Sequence, residues 1–164
     1  MSKDSFSNSI DIRLFQKQDA EQIAKLFYQT VREVNINDYS INQVKAWAPD
    51  DINFRDWVST CSERFTYVAD DNGTIAGFGE LESDGHIDCF YCHKDYQGIG
   101  VGKKIYHAIE SKAYELGIHR LYTEASITAK PFFLRMGFSI VKKQQVERRE
   151  EIFINYAMEK YITA

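Results

Sequence analysis

The chain has 164 residues, of which 44% are hydrophobic and 14% aromatic, and its formal net charge is −4. This length favours one domain spanning residues 1–164, and the apolar content argues against disorder. An acidic chain has no overall basic field to attract nucleic acid, and its longest apolar run, residues 89–92, is far shorter than the about 18 residues of a membrane helix. We therefore expect a cytoplasmic protein that binds neither nucleic acid nor membranes.

The first third of the chain predicts one strand and two helical stretches. Residues 10–15 can form a short strand, and Asp19, with Gln22 three residues later, has the spacing of a helix N-cap and capping box. The helix that follows is amphipathic, because apolar residues recur at three- and four-residue steps from Ile23 to Val34. A second, aromatic-rich helical stretch is expected from about residue 40 to residue 61, broken at Pro49.

The middle of the chain predicts a β-hairpin, a buried strand and a long helix. Residues 65–69 and Thr74–Leu81 flank a turn-forming segment, which is typical of a hairpin. The strand at His86–Cys92 carries apolar residues on both faces, as a buried central strand does. From Gly100 onwards the apolar spacing is helical, and Gly117 can end that helix.

The last third predicts a strand at residues 120–124, a helix at 127–136 and two strands at 138–146 and 152–158. Neither repeats nor a linker interrupt the chain. Strands and helices alternate along its length, so we expect a mixed α/β domain with one sheet.

Glycine is concentrated where the buried strand meets the long helix. All nine glycines lie between Gly73 and Gly137, and three fall within residues 98–102. Glycines let backbone N–H groups approach a ligand, and a helix N-terminus carries about half a positive charge, so the junction suits a phosphate or pyrophosphate. Lys103 could add formal charge. The glycines alone are equally compatible with a tight structural turn.

Two common phosphate-binding motifs do not fit this segment. A P-loop needs glycine where the chain has Gln97, and serine or threonine where it has Lys104. The dinucleotide pattern G-x-G-x-x-G places its last glycine on Lys103 or on Ile105, depending on the register.

The pattern that does fit is Gln97-x-x-Gly100-x-Gly102, which resembles the central signature of the GNAT (GCN5-related N-acetyltransferase) superfamily. A second family segment resembles residues 126–138, which run from Ser126 through Ala129 and Phe132 to Gly137. The order of elements also agrees from about residue 10 to residue 158. The resemblance implies a central, mixed and mostly antiparallel sheet with splayed central strands, flanked by helices.

The resemblance further implies acetyl-CoA as co-substrate. The backbone amides of the glycine segment would bind its pyrophosphate, and the splayed strand would pair with its pantetheine arm. Ser126 stands where the family often has asparagine, and Phe133 where many members have a tyrosine that protonates the departing thiolate. The cofactor-binding residues expected on this basis are Phe90, Tyr91, Cys92, Gln97, Gly98, Ile99, Gly100, Val101, Gly102, Lys103, Ser126 and Phe133.

The implied second substrate is a primary amine, which must lose a proton before it can attack. With an ordinary lysine-like pKa, only about 1 part in 2,500 is neutral at pH 7. His86 stands where histone-type members of the superfamily place a carboxylate, and Asp88 lies on the same face of its strand. Glu80, on the preceding strand, is a third candidate for catalysis; for each acid the plain alternative is a solvated strand end.

Three hypotheses for function follow. The first is transfer of an acetyl group from acetyl-CoA to a primary amine by direct attack in a ternary complex, with the aromatic stretch around Tyr39 and Trp47 covering the acceptor. The second is a noncatalytic acyl-CoA-binding or sensing domain, because Phe133 cannot donate a proton. The third is an interaction module in which the glycine turn is structural. A homodimer is compatible with each of them.

The three cysteines, Cys61, Cys89 and Cys92, are few and odd in number, so we expect free thiols. Cys89 and Cys92 are three residues apart on a strand and therefore point to opposite faces. No second Cys or His pair has suitable spacing. The sequence therefore predicts no metal site.

Overall fold

A seven-stranded sheet organises the protein, whose computed structural model describes residues 9–163. The strands run in the spatial order β1-β2-β3-β4-β5-β7-β6, and every neighbouring pair is antiparallel except β4 and β5. Their bounds are Asp11–Leu14 (β1), Phe65–Asp71 (β2), Thr74–Leu81 (β3), His86–Cys92 (β4), Arg120–Ser126 (β5), Ser139–Arg148 (β6) and Glu151–Tyr161 (β7). The predicted mixed, mostly antiparallel α/β fold is confirmed.

Helices cover both faces of this sheet. The α-helices are Ala20–Glu33 (α1), Ile41–Trp47 (α2), Trp57–Ser62 (α3), Val101–Glu115 (α4) and Lys130–Arg135 (α5). Short 3-10 turns lie at Lys17–Asp19, Asn35–Asn37 and Lys94–Tyr96. Helices α1–α3 pack on one face and α4 and α5 on the other. Among residues 9–163, no helix has the length and apolar character needed to cross a membrane.

Two apolar cores result, one on each face of the sheet. Successive residues of a strand point to opposite faces, but β4 has one extra residue between Ile87 and Phe90, which pair with Leu81 and Gly79. This bulge shifts the alternation, so Ile87 lies in the core under α4 and Cys89 in the core under α1. Helix α4 lies very close to β3, because a Cβ at Gly79 would come within 2.9 Å of Ile109 Cδ1 and of Phe90 Cδ2. Glycine at this position thus sets how near α4 can sit.

The centre of the sheet is splayed. The parallel strands β4 and β5 pair only at His86–Tyr122 and Ile87–Thr123. The Thr123 hydroxyl donates to the Ile87 carbonyl oxygen at 2.8 Å, at the point where pairing stops. Beyond Ile87 the rest of β4 has no β5 partner, so the sheet opens into a cleft there. This is the splay that the family resemblance implied.

Helix α1 begins directly after Asp19, as predicted, but the predicted capping hydrogen bonds are absent. Asp19 has helical backbone angles and does not cap the helix. Its buried carboxylate instead accepts from the Gln16 backbone N–H at 2.7 Å and pairs with Arg13 at 2.8 Å. Gln22 donates to the Gly73 carbonyl and accepts from the Ile75 N–H, both at 2.9 Å. Both side chains are taken by distant partners, which a local capping pattern does not reveal.

The predicted second helical stretch is two helices separated by residues 48–56. Each has its own side-chain cap: Ser40 Oγ accepts from the Gln43 N–H, and Asp56 Oδ1 accepts from the Ser59 N–H, both at 3.1 Å. Helix α2 ends before Pro49, because the residue preceding a proline is disfavoured in a helix. The aromatic residues of this stretch are thereby divided between two helices and a loop.

The C-terminal elements occur in the predicted order with different limits. Helix α5 begins at Lys130 rather than residue 127, and strands β5–β7 are longer than predicted. The β6–β7 turn consists of Arg149 and Glu150, whose φ angles are 46° and 69°. Two successive positive φ angles define the tight turn that matches the twist of a hairpin.

Candidate active site

Two cavities meet at the splay between β4 and β5. The larger, of about 690 Å³, lies at the junction of β4 and α4. The smaller, of about 370 Å³, lies between α2, β4 and the β6–β7 hairpin. Tyr91 and Ser126 line both cavities. A group bound in one cavity can therefore reach a group bound in the other.

The larger cavity is bordered by backbone groups of the glycine segment. Gly98 and Gly100 have φ angles of 76° and 87°, in the left-handed region that favours glycine. Gly100 is the N-cap of α4, and its carbonyl accepts from the Lys104 N–H at 3.1 Å. A Cβ at Gly100 would meet nothing within 4 Å. The free N–H groups and the dipole at this helix start are suited to an anion.

Most of the residues predicted to bind a cofactor line this larger cavity. They are Phe90, Tyr91, Cys92, Gln97, Gly98, Gly100, Val101, Gly102, Lys103 and Ser126. Ile99 does not line it and packs partly against the core under α4. The Gln97 side chain donates to the Cys92 carbonyl at 2.8 Å, which ties the loop to the end of β4.

Phe133 does not contact the larger cavity, contrary to the prediction. Its side chain is 2% exposed and packs against Phe90 and Phe138, with ring centroids 5.6 and 5.1 Å away. The preceding residue, Phe132, lines the cavity instead. The two phenylalanines point in different directions on a helical turn, and the sequence alone does not say which one faces the cleft.

Sequence analysis missed several residues of the larger cavity. Thr30 and Asn35 reach it from α1 and the turn that follows, and Arg135 reaches it from α5. The Thr30 hydroxyl donates to the Cys92 carbonyl at 3.4 Å. Thr30 lay on the apolar face predicted for α1, where a core position was the expected role. Arg135 adds a second cation beside Lys103.

Six of the 15 residues that line the smaller cavity are aromatic, and the predicted Tyr39 and Trp47 are among them. The Tyr39 hydroxyl donates to the Ile154 carbonyl at 2.7 Å and accepts from the Ile127 N–H at 2.9 Å. Trp47 Nε1 donates to the Tyr91 hydroxyl oxygen at 3.2 Å. The aromatic residues of the wall are Phe27, Tyr39, Trp47, Phe54, Tyr91 and Phe153. Hydrogen bonds at their polar ends hold the rings of Tyr39, Trp47 and Tyr91 in place.

A cluster of acids and arginines lies at one end of the smaller cavity. Glu80 is fully buried and accepts from both Arg55 and Arg64 at 3.0 Å. Asp88 accepts from Arg64 and lies 3.7 Å from Arg55. Burial alone would raise the pKa of Asp88, but the hydrogen bond and charge of Arg64 outweigh it and hold that pKa below its ordinary value. Of this set, Arg55 and Asp88 line the cavity.

The same cluster could offer ligands to a cation. Glu80, Asp88 and Cys89 each present one ligand atom, all within 4.8 Å of one another. Arg55 contacts all three, because its Nη1 lies 2.8 Å from Cys89 Sγ and its Nη2 bonds to Glu80 and faces Asp88. Burial raises the pKa of Cys89, so the thiol keeps its proton. A guanidinium therefore already occupies the position where a cation would bind.

His86 lies behind the smaller cavity rather than in its wall. Its Nδ1 is 2.7 Å from Glu82 and its Nε2 is 2.8 Å from Glu124, and its ring stacks on Tyr122. The hydrogen bond to Glu124 outweighs burial and raises the pKa of His86 to about 9. His86 is therefore protonated at neutral pH, which does not favour it as a base.

Glu124 is a site residue that the sequence did not single out. It lines the smaller cavity, two residues before Ser126 and on the same face of β5. Together with its neighbours it forms a charge cluster of four carboxylates and three cations, with one excess negative charge. The members of this charge cluster are Glu80, Glu82, Asp88, Glu124, Arg55, Arg64 and His86.

The chain is similar in sequence and in fold to known N-acetyltransferases. The acetyltransferase (GNAT) domain family matches residues 35–160. The chain is 34% identical to the uncharacterized N-acetyltransferase YafP of Escherichia coli (strain K12), over 92% of this chain and 95% of that protein. A GCN5-related N-acetyltransferase crystal structure from Rhodopseudomonas palustris is similar at a TM-score of 0.87 and 30% identity, covering 94% of this chain and 96% of that one.

A more distant structure shares the fold. The PaiA N-acetyltransferase from Thermoplasma acidophilum, determined in complex with coenzyme A, has a TM-score of 0.77 at 17% identity. The similarity covers 94% of this chain and 99% of that one.

Proposed function

This chain belongs to the GNAT family of acetyltransferases, and we propose that it transfers an acetyl group from acetyl-CoA to a primary amine. The observation that carries the proposal is the meeting of two cavities at Tyr91 and Ser126, beside the splayed strand β4. The larger would hold the cofactor and the smaller the acceptor. The amine then attacks directly in a ternary complex, without an acyl-enzyme.

The larger cavity has the chemistry that a CoA molecule requires. Its pyrophosphate would lie on the N–H groups of residues 98–102, with the dipole of α4 and the charges of Lys103 and Arg135 around it. The unpaired edge of β4 near Phe90–Cys92 would bond to the amides of the pantetheine arm as an added strand does. The coenzyme A complex of the Thermoplasma acidophilum protein supports this use of the fold.

The transfer reaction has simple requirements. The amine nitrogen attacks the thioester carbonyl carbon, the carbon–sulfur bond breaks, and CoA leaves with the bonding electrons. The nitrogen then loses its second proton and the thiolate takes up one proton, so that the products are the amide and the CoA thiol. One proton must leave the ammonium before attack, because the neutral form is scarce at neutral pH. The protein must therefore accept one proton in the smaller cavity and stabilise the departing sulfur at the junction.

We assign the proton to a carboxylate of the smaller cavity, and Glu124 is better placed than Asp88. Glu124 has His86 as its charged partner and lies close to Ser126, where the cavities meet. Asp88 is held by two cations, Arg64 and Arg55, whereas Glu124 is paired with one, His86, so the ionised form of Asp88 is more strongly stabilised. Glu80 lies under the two arginines, out of reach of a substrate. In this scheme His86 is a positioning residue that orients Glu124.

The buried position of Phe133 removes the main argument for a noncatalytic domain. A residue that does not reach the cleft cannot serve as the acid there, whether or not it carries a hydroxyl. Tyr91 lines both cavities, and burial raises its pKa, so its hydroxyl stays protonated. Tyr91 and Ser126 are thus the residues that bring a hydroxyl to the place where the two cavities meet. A CoA thiol with a pKa of about 8.5 needs only modest help to leave.

Calorimetric titration with acetyl-CoA, followed by assays of thiol release over a panel of amines, tests the proposal. We expect saturable binding and amine-dependent thiol release. E124Q should lower kcat about 100-fold, a typical contribution of a general base, and leave acetyl-CoA affinity unchanged. E147Q, an exposed acid on β6, is the matched control. Binding without release for any amine would instead indicate a sensing domain, and absence of binding would exclude both functions.

A further inference from the structure

We infer that the acceptor is a zwitterion with an aromatic side chain, namely a free aromatic amino acid rather than a polyamine or a protein N-terminus. This inference rests on the proposed function, because it takes the amine to bind in the smaller cavity. Three features of that cavity lead to it: arginines at its outer end, an unsatisfied acceptor at its inner end and aromatic walls between them.

The β6–β7 hairpin brings two arginines without acidic partners to the outer end of the smaller cavity. Arg148 lines the cavity and forms neither an ion pair nor a hydrogen bond with any other side chain in residues 9–163, not even with Glu151, its cross-strand neighbour. Arg149 donates to the Ala46 carbonyl at 2.6 Å and lies 5.2 Å over the Phe54 ring. A carboxylate on the ligand would meet two uncompensated positive charges here.

At the inner end of the same cavity, Asn155 offers a hydrogen-bond acceptor, whereas the arginines at the outer end offer donors. Its side-chain oxygen is buried, and within the described part of the chain it accepts no hydrogen bond. Asn155 lines the cavity and is the cross-strand neighbour of Ser126, at the junction with the larger cavity. Leaving a buried acceptor unsatisfied is costly. The N–H of an amine about to attack the thioester would satisfy it.

The distance between these two ends fits a small zwitterion. Asn155 pairs with Gln144, Phe153 with Val146 and Glu151 with Arg148, so Asn155 and Arg148 are two side-chain rows apart on one face. Four residues of strand span about 14 Å. An arginine side chain turned along the strand would cover about half of that length and would leave a gap for an amine and a carboxylate a few bonds apart, each with its hydrogen bond.

The aromatic rings of the smaller cavity and the charges at its two ends indicate which ligand it suits. The Trp47 ring meets those of Tyr39 and Phe153 edge to face, with centroids 5.3 and 6.1 Å apart, and Tyr39 and Phe153 are tilted to each other at 6.0 Å. Such walls favour a ring on the ligand, and about 370 Å³ limits it to a small molecule. The charge cluster around Asp88 carries one excess negative charge, whereas the charged residues of the hairpin that line the cavity, Arg148 and Arg149, carry two positive ones. The cavity is therefore polarised from ammonium to carboxylate, which disfavours a dication.

The test compares ligands that differ only in the carboxylate. With acetyl-CoA saturating, we expect kcat/KM for phenylalanine to exceed that for phenylalaninamide, which mimics a protein N-terminus, by about 10-fold or more. R148Q should reduce this ratio to about 1, because the carboxylate then loses its charged partner. K143Q is the control, because Lys143 lies on the other face of β6 and loses the same charge. Spermidine should be a poor substrate.

A binding measurement keeps the inference separate from the proposed function. Titration of the CoA complex with N-acetylphenylalanine and with its amide reports carboxylate recognition without any turnover. The acid should bind about 10-fold more tightly in the wild type and equally in R148Q. Equal binding of the two products by the wild type would overturn the inference and leave acetyl transfer intact. If no amine supported thiol release but the acid still bound more tightly than the amide, only the proposed function would be overturned.

Discussion

The two cavities differ in what they are made of. The larger presents backbone N–H groups, placed by Gly98, Gly100 and the start of α4. The smaller presents side chains from segments far apart in the sequence, from Phe27 to Asn155. A backbone-built site depends on chain conformation and tolerates changes in most side chains. A side-chain-built site can change specificity through single substitutions, but each buried charge in it must remain paired.

The largest effect should come from breaking the buried charge pairing under the smaller cavity. E80Q leaves Arg55 and Arg64 without their shared buried carboxylate. Removing one partner of a buried ion pair typically costs about 3–5 kcal/mol, so we expect a loss of about 3 kcal/mol in the free energy of urea unfolding.

E21Q is the control for this change, because the Glu21–Lys25 pair is exposed and lies at i,i+4 spacing. Such pairs contribute about 0.3–0.5 kcal/mol. A similar, small effect for both variants would mean that the charge cluster is dispensable for the fold.

The larger cavity should respond to a change of backbone preference. G100V places a branched side chain at a left-handed position and directs it into open space in the cavity. We expect acetyl-CoA affinity to fall about 100-fold, equivalent to about 2.7 kcal/mol, as measured by calorimetry.

G73V is matched to this variant, because Gly73 also has a positive φ and nothing within 4 Å of a Cβ. Both variants carry a similar strain of about 1–2 kcal/mol. Equal loss of affinity in the two would show that strain, rather than occupation of the cavity, is responsible.

The stability that His86 contributes behind the smaller cavity should depend on pH, whereas acetyl-CoA binding in the larger cavity should not depend on His86. The pKa of His86 is raised from 6.5 to about 9 in the folded protein, mainly by Glu124. Its contribution to stability is therefore complete below about pH 6.5 and is lost as the pH rises through 9. H86Q should cost about 2 kcal/mol at pH 6, allowing for the partial exposure of Glu124, and much less at pH 10.

Unfolding curves at the two pH values provide the measurement, with H107Q, an exposed position on α4, as the control. Acetyl-CoA affinity of H86Q should match the wild type at both values, since backbone amides bind the pyrophosphate. A cost for H86Q that does not depend on pH would show that the ion pairs of His86 are not the source of its contribution.

The smallest effect concerns the hairpin that carries the outer arginines. Glu150 has a φ of 69°, which is strained for a residue with a Cβ and relaxed for glycine. E150G should stabilise the protein by about 0.5 kcal/mol in thermal or urea unfolding. E147G, inside β6 and one residue before its end, should destabilise it by a similar amount. A loss of stability in E150G would indicate that the glutamate side chain itself supports the turn.

The sequence predicted the larger cavity better than the smaller one, because the two are built differently. The larger cavity depends on a continuous segment with a fixed spacing, so Gln97, Gly100 and Gly102 identified it. The side chains of the smaller cavity become neighbours only through strand pairing. Glu124, Asn155 and Arg148 therefore carried no local signal.

The same reasoning explains the errors within the fold. Asp19 matched a capping pattern but is bound by Arg13, a residue outside the pattern. Phe133 was predicted at the cofactor because it matched a family position. It is buried instead, because the helical turn that carries it directs its side chain into the core. The order of the elements was predictable because it depends on local periodicity and turn residues. Which side chains meet was not, because it depends on register between distant strands.

The narrow pairing of β4 with β5 has a consequence for how the protein unfolds. Only two residue pairs join the backbone of β1–β4 to that of β5–β7, so this line is the weakest seam of the sheet. A cofactor lying in the cleft would bridge the seam and stabilise the folded state in proportion to its binding. Amide hydrogens along this seam should then exchange by local opening when the cleft is empty and only by global unfolding when it is filled. The co-substrate would act as a removable eighth strand, making one cooperative unit of a sheet that is otherwise divided.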